Sequence, residues 1–176
     1  MTETKYVVQK FEKALHDRRA FSCGISEIDK WFKTSISQQI KDYRVRVWCA
    51  VDTEKKVVGF YALNAHAIEP SDATALAKKN DRNPIPVIYL VAIATDVTAR
   101  GANLGSALMG HALEKALSIS KDLGTAAVVL DVLEDENFQR RKEFYERLGF
   151  AKIDPENEKR FFLSMKDIAA EYVATA

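Results

Sequence analysis

The chain has 176 residues, 47% of them hydrophobic and 10% aromatic, which is enough to bury a core within one ordinary domain. Its 26 basic and 25 acidic residues give a formal charge of +1, excluding a global charge-driven attraction to nucleic acid or membrane and leaving only local basic patches. No apolar run approaches the ~20 residues of a membrane span, the N-terminus lacks an apolar signal region, and Cys23 and Cys49 have no metal-ligand spacing.

These features lead us to expect one cytoplasmic domain over residues 1–176, with two buried thiols, no metal and no membrane partner. In chain order, residues 6–11 read as a short first strand and Asp17-Arg18-Arg19 as a loop. From Ser26 onward, Ile28, Trp31, Phe32, Ile36, Ile40 and Tyr43 recur at three- and four-residue spacings, which predicts one helical stripe turned into the core. Ser26 with Asp29 forms a weak capping box. Residues 45–51 and 57–63 are strands around the polar turn 52–56 and should pair antiparallel. Between Ala67 and Pro86 the chain turns polar around Pro70, Pro84 and Pro86, with a short helix over 71–79; such a segment serves either as a lid or as plain connection.

The run 87–95 is almost uninterruptedly apolar, the pattern of a strand buried on both faces. A small-residue turn then opens a helix whose face, Leu104, Leu108, Ala112, Ala116, Ile119 and Leu123, continues to a stop at Gly124. A helix N-terminus leaves four N–H groups without intrahelical partners and adds about half a positive charge, so this junction suits a phosphate. Gly101 and Gly105 permit close approach, and Asn103 tolerates left-handed angles. Taken alone, the junction fits equally well a strand meeting a helix with glycines that relieve packing. A dinucleotide fold is disfavoured, because Gly-x-Gly-x-x-Gly and repeated βα units are missing. Residues 126–133 predict a second strand, parallel to the first by a right-handed crossover. A helix over 138–148, a strand over 160–164 and a helix over 166–172 complete the chain.

Arg100-Gly101-Ala102-Asn103-Leu104-Gly105 resembles the pyrophosphate-binding signature of the GNAT family of N-acetyltransferases, with Asn103 standing where the family has its first glycine. Glu143-Phe144-Tyr145-Glu146-Arg147-Leu148-Gly149-Phe150 is similar to the family's late helix, which carries a tyrosine and ends in a Leu-Gly-Phe turn. Phe21-Ser22-Cys23-Gly24 leading into Ile28 and Trp31-Phe32, and also Gly59-Phe60-Tyr61, resemble the branch of bacterial toxins that acetylate aminoacyl-tRNA, where the latter strand lies beside the acceptor cleft. The resemblance implies an α/β (α+β) GNAT fold, in which a central mixed, mostly antiparallel sheet holds a splayed parallel strand pair that binds acetyl-CoA. It assigns the pantetheine arm to the backbone of Ile93, Ala94 and Thr95. The pyrophosphate falls to Arg100, Gly101, Ala102, Asn103, Leu104, Gly105 and Ser106. Tyr145 becomes the acid that meets the departing sulfur.

A phenol near 10 facing a thiol near 8.5 makes full proton transfer uphill by roughly 1.5 units. Arg141, four residues earlier on the same helical face, is expected to lower the phenol; alternatively the phenol only hydrogen-bonds the thiolate. No general base stands out, since Asp131, Glu134 and Asp135, like His66 and Glu69, follow strands at places where such residues are usually solvated. A lysine amine near 10.4 is neutral in about one molecule in 2,500 at pH 7, and an α-amine near 7.7–8.0 in roughly one in five to ten. The missing base therefore favours an α-amine, on aminoacyl-tRNA, an amino acid or a protein N-terminus. Arg140, Arg141, Lys142 and Arg147 around Tyr145, with Lys78, Lys79 and Arg82 in the polar segment, form either one phosphate-tracking strip or ordinary solvated charges.

The first reading is a translation-inhibiting toxin that acetylates aminoacyl-tRNA, held by a ribbon-helix-helix antitoxin, with homodimerisation left open. The alternative is a GNAT enzyme for a small-molecule amine or protein N-terminus, or a non-catalytic acetyl-CoA-binding module.

Overall fold

The computed structural model describes residues 6–175, with side chains through Glu171. β1 (Val7–Lys10) pairs antiparallel with β2 (Arg46–Val51), Val7 opposite Val51. β2 in turn pairs antiparallel with β3 (Val57–Ile68), Cys49 opposite Phe60, as the hairpin pattern predicts. The turn between them closes on Asp52, whose Oδ1 accepts from the N–H groups of Glu54 and Lys56 at 2.8 and 3.0 Å. β3 runs past the predicted end at residue 63, because Ala65, His66 and Ala67 face solvent and carry no apolar signal. With β4 (Ile85–Thr95), β5 (Ala127–Asp131), β6 (Ala151–Lys152) and β7 (Arg160–Ser164), the strands form one seven-stranded sheet in the order β1-β2-β3-β4-β5-β7-β6. β4 and β5 pair in parallel, but only at Ile88/Val128 and Tyr89/Val129, although both strands continue. β7 pairs antiparallel with β5 and β6.

The chain divides into two compact units. One comprises the residues through Asn64 and Val91–Ala112; the other comprises Ala65–Leu90 and the residues from Leu113 onward. In the first unit, α1 (Ser26–Lys30), a π-helical turn (Trp31–Ser35) and α2 (Ile36–Lys41) follow one another without a break, so the predicted helix is present. Its stripe is core: Phe32 and Ile36 are fully buried and Ile28, Trp31 and Ile40 partly so, packed with Phe11, Phe21, Val47, Cys49 and Phe60. Phe32 stacks face to face on Phe60 at 4.0 Å, and Phe21 meets both edge-on. Phe60 and Tyr61, expected beside a cleft, are therefore buried completely. Tyr43 leaves the stripe; it lies past the helix at φ 60° and is 84% exposed. The wider π turn disturbs the i to i−4 ladder, and Arg18 Nη1 donates to the Phe32 carbonyl at 2.6 Å.

The second unit has its own core of Ile68, Ala73, Ile85, Val87, Ala127, Val129 and Ile153, against which Leu76, Ala77 and Phe162 pack. The predicted helix over 71–79 is absent. Only a 3-10 turn, Pro70–Asp72, forms, because the following polar groups bond elsewhere: Ala75 N–H donates to the Ile153 carbonyl at 3.0 Å and Thr74 Oγ1 to Asp154 at 2.9 Å. α4 (Phe138–Arg147) and α5 (Met165–Thr175) agree with expectation within a few residues.

Two devices in the first unit position the junction between β4 and α3 (Leu104–Ser120). Gly59 is the first: a Cβ there would stand 2.7 Å from Leu108 Cδ1 and 3.2 Å from the Ala94 carbonyl, so a larger residue would have to displace the Leu108 methyl and crowd that carbonyl. The second is Asp96, which is 7% exposed and accepts from Thr98 N–H (2.9 Å), Thr98 Oγ1 (2.6 Å) and Ser22 N–H (2.9 Å). Val97 N–H returns a bond to the Ser22 carbonyl at 2.8 Å, and Arg100 Nη2 donates to the Cys23 carbonyl at 2.8 Å. Asp29, read above as half of a capping box, instead accepts from Ser22 Oγ and Cys23 N–H at 3.1 and 2.9 Å; the N-cap position, Ile25, has no side-chain bond. The 21–24 stretch is thus the buttress of the loop. Burial opposes ionisation of Asp96, but the bonds from Thr98 and Ser22 outweigh it and hold the carboxyl below its ordinary range.

Gly59→Val should cost about 1–3 kcal/mol by overpacking against Leu108, seen as a lowered Tm; an unchanged Tm would contradict the close approach. Asp96→Asn should destabilise by about 1–3 kcal/mol at neutral pH. Because the folded carboxyl is held below its unfolded value, the wild-type advantage is full above about pH 4 and fades as pH falls through the depressed value. Acid titration of both proteins by circular dichroism should therefore show their stabilities converging at low pH.

Candidate active site

Two residues in the left-handed region, Gly101 at φ 90° and Asn103 at φ 54°, flank Ala102. Asn103 thus adopts the conformation that its amide side chain tolerates best among non-glycine residues. A Cβ on Gly101 would meet open space, so its backbone angle is what demands glycine. The Ala107 N–H donates to the Asn103 carbonyl at 3.1 Å as the first bond of α3, so the N–H groups of Leu104, Gly105 and Ser106 precede any intrahelical acceptor. Gly101, Ala102, Asn103 and Ser106 are exposed, and the 17 residues of α3 add their dipole behind them. The loop is therefore an open cluster of backbone donors suited to a phosphate. The Arg100 guanidinium is turned to the Cys23 carbonyl, so its first service is to hold the loop. Ile93 and Thr95 are half-buried and Ala94 is buried at the end of β4.

In the second unit, Tyr145 lies in the last turn of α4, half-buried, with Phe144 and Phe150 at ring-centre distances of 5.3 and 6.0 Å. The Leu148 and Phe150 N–H groups both donate to the Tyr145 carbonyl, closing the Leu-Gly-Phe turn in which Gly149 takes φ 97°. Burial pushes the phenol up to about 12, against the pull of Arg141. The expected lowering by Arg141 is thus outweighed, and its guanidinium is bonded to Asp135. Lys142 stands 3.8 Å from Glu146. Arg140 is exposed on α4, and Lys78 and Lys79 are exposed in the turns after Pro70–Asp72, where only the main chain of Lys78 is fixed, by its N–H to Asp81 at 2.8 Å.

Asp131, expected to be solvated, is instead clamped. Arg160 Nε and Nη2 donate to its two oxygens at 2.8 Å, and Tyr89 Oη donates to Oδ2 at 2.7 Å. His66 lies within β3 and not after it, exposed, with its ring centre 5.4 Å from that of Tyr89. Sequence reasoning missed this cluster, and also Asp96, for which the Asp-x-Thr spacing at 96–98 was an available signal. Cys23 and Cys49 are free and buried, as expected, and burial pushes their thiols up to about 11 and about 12. Among the described residues, no group of three His, Cys, Asp or Glu side chains could hold a metal ion, and no helix is long and apolar enough to cross a membrane.

The family model described as the acetyltransferase (GNAT) domain matches residues 44–152. The chain is 31% identical over 170 residues to "Probable toxin TacT" of Sinorhizobium fredii, covering 93% of each chain. It is 30% identical over 156 residues to the tRNA-acetylating toxin of Mycobacterium tuberculosis, covering 88% of this chain and 89% of the relative. The fold matches that of the solved toxin AtaT. AtaT complexed with acetyl-methionyl-tRNAfMet gives a TM-score of 0.84 at 23% identity over 96% of this chain and 99% of that one. A mutant AtaT bound to the C-terminus of the antitoxin AtaR and acetyl-CoA gives 0.79 at 23% identity over 95% and 98%. By the family match, the two relatives and the loop that opens α3, the chain belongs to the GNAT family of acetyltransferases.

Proposed function

We propose that the whole chain works as one acetyltransferase domain, a translation-inhibiting toxin that moves the acetyl group of acetyl-CoA to the α-amine of an aminoacyl-tRNA in the cytoplasm. A ribbon-helix-helix antitoxin is its proposed partner, since a chain that blocks its own cell's translation needs a neutraliser. The observation that carries the reading is the 30% identity to a tRNA-acetylating toxin along 88% of the chain, which extends well beyond the cofactor loop.

In this reading the pyrophosphate of acetyl-CoA sits on the N–H groups of Leu104, Gly105 and Ser106, and the pantetheine arm follows the peptide groups of Ile93, Ala94 and Thr95. The amine attacks the thioester carbonyl carbon, the C–N bond forms, and the C–S bond breaks with its electron pair leaving on sulfur. Tyr145 meets that sulfur. A phenol at about 12 is fully protonated at neutral pH, but it lies roughly 3–4 units above an ordinary thiol, so it stabilises the thiolate as a hydrogen-bond donor more readily than it gives the proton away. Arg140 and Arg147, with Lys78, Lys79 and Arg82, are exposed cations available for RNA phosphates.

Tyr145→Phe should leave acetyl-CoA affinity near normal and lower turnover by roughly 10²–10⁴-fold; a parallel loss of Tm and cofactor binding would assign Tyr145 to packing instead. Gly105→Leu should weaken acetyl-CoA at least about tenfold by calorimetry while the fold survives, because the donors it would cover are the loop's main offering. Incubation with labelled acetyl-CoA and charged or uncharged total tRNA tests the acceptor. Label should enter the charged pool alone, with tRNA affinity falling by roughly 0.7–0.9 log units per log unit of salt for each phosphate contacted. Brisk acetylation of free amines or peptides with none of charged tRNA would support the alternative of a small-molecule or N-terminal acetyltransferase.

A further inference from the structure

At the end of the parallel β4–β5 ladder lies a side-chain cluster that the reaction outlined above leaves unused. The last ladder pair is Tyr89 and Val129. Two residues farther along β5, Asp131 reaches the Tyr89 hydroxyl and is itself gripped on both oxygens by Arg160, its partner in register on β7. His66 stands exposed beside the Tyr89 ring.

The hydrogen-bond inventory says what such a group can recognise. Burial, and then the bond to Asp131, push the Tyr89 phenol far above its ordinary range, so it is never a base at physiological pH. Its one hydrogen is committed to Asp131, and what Oη still offers is lone pairs, a receptor for an N–H or O–H donor. Charge narrows the choice further. Burial opposes ionisation of Asp131, but Arg160 and Tyr89 hold its carboxyl below the ordinary range, and the pair with Arg160 sums to zero. The other charged or titratable groups acting here are Lys159 on Asp131, Asp72 on Arg160, and His66. An unpaired carboxylate would hold an amine as its ammonium, which has no lone pair for attack. A site with no net charge and directed lone pairs raises the amine's pKa less than an unpaired carboxylate would.

We infer that the Tyr89 hydroxyl is the acceptor-binding group, taking a hydrogen bond from the attacking α-amine in its neutral form, with the Asp131–Arg160 pair as positioning residues behind it. The inference rests on the acetyltransferase reading above and names its acceptor subsite. Tyr89 lies on β4, the strand whose residues Ile93, Ala94 and Thr95 the reading above gives to the cofactor arm.

Steady-state kinetics of the full chain with acetyl-CoA and two acceptors, charged total tRNA and methioninamide, test this. Tyr89→Phe should raise the acceptor KM roughly fivefold to tenfold and leave the KM for acetyl-CoA unchanged. A lowered Tm with acceptor KM unchanged on both acceptors would reduce Tyr89 to a structural clasp and overturn the inference. Arg160→Gln, which leaves Asp131 unpaired, should move the acid limb of the pH–rate profile to higher pH; an unmoved limb in a folded variant would overturn the neutral-amine argument. If Arg160→Gln does not fold, the Tyr89→Phe result decides. Wild-type transfer to methioninamide but not to tRNA would defeat the tRNA reading while the KM comparison still scores the inference. No transfer to either acceptor would defeat both.

Discussion

Three hydrogen bonds converge on one buried carboxylate, Asp96, and through them the end of β4, the 21–24 segment and the loop into α3 become a single rigid piece. Without that charge, the N–H groups of Leu104, Gly105 and Ser106 would still lie at a helix start, but the loop that leads into them would lose its tie to Ser22. A phosphate-binding loop gains most when its donors are already aimed, since a mobile loop must lose conformational freedom on binding. Gly59 supports the same arrangement from beneath, by leaving room for the Leu108 and Leu104 side chains of α3 against β3. The stacked Phe32 and Phe60 hold the helical segment that carries Asp29, and Asp29 holds Ser22 and Cys23. A continuous path of packing and polar contacts thus runs from the core of the first unit to the donors.

The second unit works by a different economy of charge. Several of its ionisable groups are matched in place: Arg141 with Asp135, Arg160 with Asp131, Lys152 with Glu158. Arg141 still pulls the Tyr145 phenol down although it is paired with Asp135, but burial acts on that phenol more strongly. The formal charge of +1 conceals this pairing, because composition counts charges and does not say which of them are already spent on neighbours.

Legibility in the sequence followed the range of the interactions involved. The β4 strand, the loop and α3 were readable because the apolar period changes there from continuous to helical, and Asn103 was readable because its left-handed angle is a property of the residue itself. The role proposed for Tyr145 came only through resemblance, for a tyrosine after a phenylalanine at a helix end is ordinary packing by any local rule. Ser26 and Asp29 looked like a cap, since the local pattern is the same whether the carboxylate turns to its own helix or to Cys23. The helix expected over 71–79 failed because Thr74 and Ala75 bond to residues about 80 positions away, and no local propensity reports a partner that distant. The Tyr89–Asp131–Arg160 cluster joins residues separated by 42 and 29 positions, so its members read singly as a strand tyrosine, a strand-end acid and a surface arginine.

Cys23 gives the loop a built-in reporter. Its carbonyl receives Arg100, its N–H is held by Asp29, and its thiol is buried with the proton retained well above neutrality. Thiol reagents attack the thiolate, so in the closed state the residue is shielded twice, by lack of access and by lack of the reactive form. Alkylation then proceeds only through openings that detach the 21–24 segment, and its rate measures how often the donors at α3 lose their support. Cys49, deep in β2 and equally protonated, reacts only when the sheet itself opens, so the two thiols separate local breathing from global unfolding within one molecule.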